Sequence, residues 1–305
     1  MVPTEVEAIA DSGGHCEKPS RRTILQACAA VIAASLAGVT RPRAASQNPR
    51  QRVKWVAFYG QTADEPVLAS YDIVILDPMF QGSIAAVAQA GARVCGYLSL
   101  GEIRISDIFY DRVDPTALLE ENPAWPGTRR IDVRHRSWKD LVLEQIIPSL
   151  AAKEFTGLLL DTLDTPPYLE QLDPNGNGGM RQAAVDLVQA IHRSHPNMLV
   201  IMNRGYAVLP SVIGSIDGIV AESLLTAQDE GGGYVWNESS QVALQLSLLM
   251  PALRSQNPLP ILSLDYWDPE DTLTIRKIYL RERLLGHHPY VATRMLDRII
   301  PEPRS

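Results

Sequence analysis

Acidic residues recur at the ends of apolar runs in this chain, and that is where chemistry would sit. Gly157-Leu158-Leu159-Leu160 leads straight into Asp161, with Asp164 three residues on; a strand buried on both faces reads this way where it ends at an aqueous cleft. Tyr59, Asp77, Glu102, Asn203, Glu222 and Asp265 occupy comparable places after other apolar runs. Any one of them could cap a turn or pair with a cation. Together they predict a ring of carboxylates around one mouth, where mutual repulsion raises some pKa values, as general acid catalysis requires. Asn203-Arg204-Gly205 offers donors for hydroxyl groups or, equally, an arginine that clamps neighbouring acids. Tyr206, Tyr234, Trp236, Tyr266 and Trp267 fall near the same mouth; aromatic faces there suit sugar rings, and packing is the plainer role for each. Tyr97 lies inside its run and is assigned to the core.

Nothing competes with the carboxylates as a reactive set. His192 and His195 stand three apart with no third ligand nearby, and His287-His288 is an isolated pair, so no metal and no cofactor is expected. Asp173-Pro174-Asn175-Gly176-Asn177-Gly178 opens like a calcium loop, but Ala184 stands where the bidentate glutamate belongs, which favours a polar turn.

The elements that must hold these residues are short apolar runs alternating with helix-like segments, the mark of parallel strands with crossover helices. Strands are predicted at Val53–Tyr59, Ile73–Asp77, Arg93–Leu100, Arg130–Val133, Gly157–Asp161, Met198–Asn203, Gly218–Glu222, Ile261–Asp265 and Tyr290–Thr293. That is one more than a (β/α)8 TIM barrel accepts, and either the polar Arg130–Val133 or a terminal run lies outside it. Trp138–Ala152, Arg181–His195 and Asp271–Leu285 repeat apolar residues at three- and four-residue steps and read as outer helices. Asn122–Gly127, Asp173–Gly179 and Gly231–Gly233 read as loops on one rim, where barrels carry function.

Ser20-Arg21-Arg22-Thr23-Ile24-Leu25 leads an alanine-rich apolar run to Val39, the outline of a twin-arginine export signal over residues 1–45, followed by a polar linker over 46–52. Residues 53–300 then form a single barrel domain, and the protein is expected to be periplasmic or extracellular, with no membrane contact once the signal is cleaved. Loss of the signal removes five basic and four acidic residues, taking the formal charge from −7 to −8. An acidic protein is a poor partner for nucleic acid and a plausible one for a cationic polymer. Cys16 and Cys28 leave with the signal, so Cys95 remains alone and reads as a buried, inert thiol.

Five short motifs carry a resemblance: Phe58-Tyr59-Gly60, Tyr97-Leu98-Ser99-Leu100-Gly101-Glu102, Gly157–Asp164, Asn203-Arg204-Gly205 and Ala221-Glu222-Ser223. In this order they resemble glycoside hydrolase family 114, the endo-α-1,4-polygalactosaminidases, and still more the related family 166 hydrolase domains of PelA type from Pel exopolysaccharide systems. The resemblance runs from about Val53 to Asp297. It implies a (β/α)8 barrel that cleaves α-1,4-linked galactosamine or N-acetylgalactosamine chains, with Asp161 and Glu222 as the acidic pair, here as a free-standing hydrolase. By analogy with retaining α-galactosidase barrels, Asp161 is expected to attack and Glu222 to act as acid/base. Asp164 is the rival of Asp161, because a turn could aim either inward. Tyr59, Asp77, Glu102, Asp164, Asn203, Arg204, Asp265, Tyr266 and Trp267 are expected to bind the cationic or amino-sugar polysaccharide. The alternatives are a polysaccharide-binding or assembly protein that kept the barrel and lost turnover, and an α-galactosidase-type enzyme of different sugar preference.

Overall fold

The computed structural model describes residues 52–304 apart from Glu230. The segment expected to be an export signal, with Cys16 and Cys28, lies outside the described residues, as does nearly all of the expected linker. Eight parallel strands alternate with helices in a (β/α)8 barrel: β1 Trp55–Phe58, β2 Ile73–Leu76, β3 Arg93–Ser99, β4 Gly157–Asp161, β5 Leu199–Asn203, β6 Gly218–Glu222, β7 Ile261–Tyr266 and β8 His288–Ala292. Each pairs in parallel with its neighbours from β1 through to β8. The strands are near-continuous apolar runs because both faces are covered, by the barrel interior on one side and helices on the other. β8 and β1 come together through the Trp55 indole, which donates to the His288 carbonyl at 2.7 Å, and the Tyr59 N–H, which donates to Leu296 O at 2.7 Å.

The surplus strand is resolved by the chain between β3 and β4. Thr128–Ile131 pairs antiparallel with both Glu102–Arg104 and Leu118–Glu121, making a three-stranded sheet outside the barrel wall. A second insertion after β6 is a hairpin of Thr226–Gln228 with Tyr234–Trp236.

The three anticipated outer helices are present with one irregularity. Arg136–Leu141 and Ile147–Ala152 are joined by a π-helical turn at Val142–Ile146. Pro148 lies just beyond, with no N–H to offer Glu144, and a widened turn accommodates it. The helix Ser239–Leu253 was not anticipated: it contains no charged residue, and Leu244 and Leu248 remain exposed, so no polar stripe marks it in the sequence. Cys95 is fully buried in β3, and burial pushes its thiol up to about 12.

Candidate active site

Register decides which strand-end residues share the barrel interior. Parallel partners at one level point to the same face, and along a strand the faces alternate. Ser99 pairs with Asp161 and Tyr97 with Leu159, so Tyr97 faces inward one layer below Asp161. Leu160 pairs with Met202, which sets Asn203 beside Asp161. Asn203 pairs with Val220, so Glu222 stands on that same face one layer higher.

The side chains meet as this register requires. Asn203 Nδ2 donates both to Asp161 Oδ1 at 2.9 Å and to Glu222 Oε2 at 2.7 Å. Tyr97 Oη donates to Asp161 Oδ2 at 2.9 Å, and Tyr266 Oη donates to Glu222 Oε1 at 2.6 Å. Tyr59 packs edge-on against Tyr97 with ring centroids 5.3 Å apart. Burial, reinforced by the charges of Asp161, Glu222 and Asp77, holds the Tyr59 hydroxyl well above the usual phenol range. Burial also raises Asp161, and repulsion from Glu222 adds to it, while the Asn203 amide, the Thr162 N–H and the Tyr97 hydroxyl oppose both by hydrogen-bonding to the ionised form. Tyr97, expected from its place inside the run to belong to the core, is thus a direct partner of Asp161. The parity of Tyr97 with Asp161 was the missed signal, visible only once β3 and β4 are in register.

The chain turns sharply after each of these strands. Thr162, Arg204 and Ser223, which follow Asp161, Asn203 and Glu222, all take positive φ, at 61°, 46° and 53°. None is a glycine, so each costs about 1–2 kcal/mol and must be held by its surroundings. Thr162 Oγ1 accepts from the Gly101 N–H at 2.8 Å, and a side chain at Gly101 would collide with the Thr162 carbonyl. Ser223 O accepts from the Asn237 and Gln245 side chains at 2.7 and 2.9 Å.

Two of the expected mouth acids are elsewhere. Asp265 points outward because its neighbour Leu264 pairs with Glu222, and adjacent residues on a strand face opposite ways. It is fully buried behind β7, where Oδ1 accepts from the Leu225 and Thr226 N–H groups at 2.8 Å each. Glu102 is sealed from water and holds Asn122 Nδ2 at 2.9 Å and Thr165 Oγ1 at 2.7 Å. Asp77 stays at the mouth, paired with Arg104 at 3.1 Å. Asp164 is exposed and pairs with Arg204 at 3.4 Å, while Asp161 takes the place on Asn203. Trp267 donates to Asp271 at 3.1 Å and packs with Tyr234 and Trp236 of the hairpin, with centroids 6.1 and 5.7 Å away. Tyr206 is buried, and its hydroxyl donates to Gln245 Oε1 at 2.9 Å. Asp173 accepts the N–H groups of Asn175 and Gly176, which makes it a turn former.

Two carboxylates facing each other across one amide at the C-terminal ends of barrel strands are the equipment of a glycoside hydrolase. The comparison with known proteins names the branch: the family model of glycoside-hydrolase family GH114 matches residues 37–304, and the chain belongs to that family. Among solved structures it is similar to the glycoside hydrolase domain of PelA from Pseudomonas aeruginosa, with a TM-score of 0.72 and 26% identity over 81% of this chain and 97% of that one. It shares the fold of Aspergillus fumigatus Ega3, solved in complex with galactosamine, with a TM-score of 0.60 and 16% identity over 82% of this chain and 94% of that one. An uncharacterised protein of Deinococcus radiodurans is 24% identical over 90% of this chain and 97% of its own length.

Proposed function

We propose that this glycoside hydrolase cleaves α-1,4-linked galactosamine or N-acetylgalactosamine polysaccharide within the chain, with retention of configuration. Membership of GH114 and the likeness to PelA and to galactosamine-bound Ega3 support the substrate class. The observation that carries the mechanism is the single amide nitrogen of Asn203 reaching both carboxylates. Its two N–H bonds diverge by about 120°, which sets the bonded oxygens about 5 Å apart. That matches the roughly 5–5.5 Å of retaining enzymes better than the 6.5 Å or more that leaves room for an inverting water.

In this reading Asp161 attacks the anomeric carbon. Three donors, from Tyr97, Asn203 and the Thr162 backbone, favour its ionised form against burial. Glu222 protonates the leaving oxygen, and after departure of the aglycone it takes a proton from the water that releases the sugar from Asp161. Asn203 stays bonded to both groups and holds their separation. Tyr59, Asp77, Tyr266 and Trp267 border the space where the substrate would lie. Export by the twin-arginine route, proposed from Ser20–Val39, would bring the enzyme to an extracytoplasmic polymer; fractionation of cells carrying Arg21→Lys and Arg22→Lys tests it.

The test of activity is product analysis by mass spectrometry on partly deacetylated α-1,4-galactosamine polymer, with NMR to record the anomer released first. Oligomers with the α configuration are expected from the wild type. Asp161→Asn and Glu222→Gln should each reduce turnover at least about a thousandfold, and Asp164→Asn should not. Release of the β anomer would refute retention, and a dead Asp164→Asn beside an active Asp161→Asn would reverse the assignment.

A further inference from the structure

The loop between Glu121 and Thr128 carries a large aromatic ring in water on a hydrogen-bonded turn. Asn122 Nδ2 is bound by the buried Glu102 carboxylate at 2.9 and 3.1 Å, and Asn122 Oδ1 accepts the Ala124 N–H at 3.0 Å. The Trp125 N–H donates to Asn122 O at 3.0 Å, and Trp125 O accepts the Thr128 N–H at 3.1 Å. The Gly127 N–H donates to Glu121 Oε1 at 2.6 Å, with Gly127 at a φ of 79° and prolines at 123 and 126. On this braced turn Trp125 is 53% exposed. A ring left this open adds little to folding, and a backbone braced before its partner arrives loses little entropy on binding.

Its surroundings define what it could hold. Beside Trp125 is a hollow of about 480 Å³ lined also by Arg104, Ile105, Ser106 and Thr128, a size that suits a small ligand. The hollow does not contain Asp161 or Glu222, but it adjoins them: Arg104 lies over the Tyr97 ring at 5.8 Å, and Tyr97 bonds Asp161. The Arg294 guanidinium, just past β8, lies over the Trp125 ring 5.1 Å from its centre, and its charge is felt by Tyr266, the partner of Glu222. Arg104 is neutralised by Asp77, whereas Arg294 makes no ion pair among the described residues.

We propose that Trp125, with Arg104 and Arg294 beside it, forms a remote sugar subsite that stacks one pyranose of the polymer outside the cleavage point and favours an N-acetylated unit over a free galactosamine. The proposal deepens the polysaccharide-hydrolase reading and rests on it. Aromatic rings bind the apolar face of a pyranose. A protonated amine brought to this place would meet the uncompensated Arg294 charge, and an acetamido group would not; it offers a carbonyl that a guanidinium can bind.

The test uses defined α-1,4 oligosaccharides of increasing length, fully N-acetylated or with single deacetylated units. Wild type, Trp125→Ala, Trp125→Phe and Arg294→Gln are compared in kcat and KM, and each change is also placed on a Glu222→Gln background for calorimetric binding without turnover. Lengthening the acetylated substrate is expected to lower KM and Kd in the wild type. Trp125→Ala should forfeit about tenfold of that gain, and Trp125→Phe should restore most of it. Arg294→Gln should narrow the discrimination against a deacetylated terminal unit. Equal length dependence in wild type and Trp125→Ala, with the fold intact by circular dichroism, would overturn the subsite, as would a preference for deacetylated units that Arg294→Gln leaves unaltered. Should no substrate be cut, the hydrolase reading fails, while the calorimetry still decides the subsite.

Discussion

Asp161 is a carboxylate caught between opposing forces: burial and Glu222 raise its pKa, and three hydrogen-bond donors lower it. The Tyr97 hydroxyl is the one donor that can be removed without touching the backbone or Glu222. Tyr97→Phe is therefore expected to reduce kcat about ten- to a hundredfold with KM nearly constant. Because the hydroxyl favours the ionised acid, its loss raises the Asp161 pKa further, and the acid limb of the kcat profile moves to higher pH. Steady-state kinetics from about pH 4 to 8 check both effects; an acid limb moving to lower pH would refute this account of the hydrogen bond.

The recurring element is a strand that ends in a functional residue followed at once by a left-handed one. Positive φ at Thr162, Arg204 and Ser223 turns the chain away from the mouth while the preceding side chain stays aimed into it. Ser223 tests the idea most simply, because its carbonyl is the part held, by Asn237 and Gln245. Ser223→Gly exchanges relief of the left-handed strain for greater entropy of the unfolded chain, so stability should stay within about 1 kcal/mol of wild type. Ser223→Val meets the strain in full and should lose about 1–2 kcal/mol or more, together with activity through misplacement of Glu222. Urea denaturation and turnover of the two variants provide the comparison.

At the scale of the whole molecule, charge is arranged in two separate compartments. At the mouth, Asp77 and Asp164 are matched by Arg104 and Arg204, Arg294 stands nearby, and Glu102 and Asp265 are withdrawn from solvent. With these acids paired or buried, the steep salt dependence of a ring of free carboxylates is not expected. KM on a partly deacetylated polymer should change less than about threefold between about 0.05 and 0.5 M salt. Behind β7, Glu282 and His287 share a 2.7 Å hydrogen bond away from water; burial pushes Glu282 up to about 7 and His287 down to about 4, and both shifts favour the uncharged forms. The raised carboxyl contributes stability that is present at low pH and lost as pH climbs toward 7. The depressed imidazole contributes stability that is present above its unfolded value near 6.5 and lost as pH falls toward 4. Over the shared window the two slopes oppose each other. Glu282 also interacts with the buried Asp265, whose raised pKa acts in the same sense, so Glu282→Gln weakens the carboxyl slope and leaves the imidazole one; stability should fall more steeply than in wild type between about pH 6.5 and 4, measured by denaturant unfolding across that range.

The sequence by itself determined the barrel and the strand-end acids. Runs such as Gly157–Asp161 are too apolar and too short to be anything but strands covered on both faces, and their C-terminal ends are where a barrel opens to solvent. Alternation within one strand carries a further constraint: Asp265 and Tyr266 are neighbours and cannot both face the mouth, so the tyrosine bonded to Glu222 excludes the aspartate from it. Only the tertiary structure could decide which residues on different strands stand level. The partnership of Tyr97 with Asp161, the bridge from Asn203 to Glu222, and the approach of Trp125 to Arg294 across more than 160 residues all depend on relative register and on loop paths. Those are set by packing between distant segments, and no local pattern of residues encodes them.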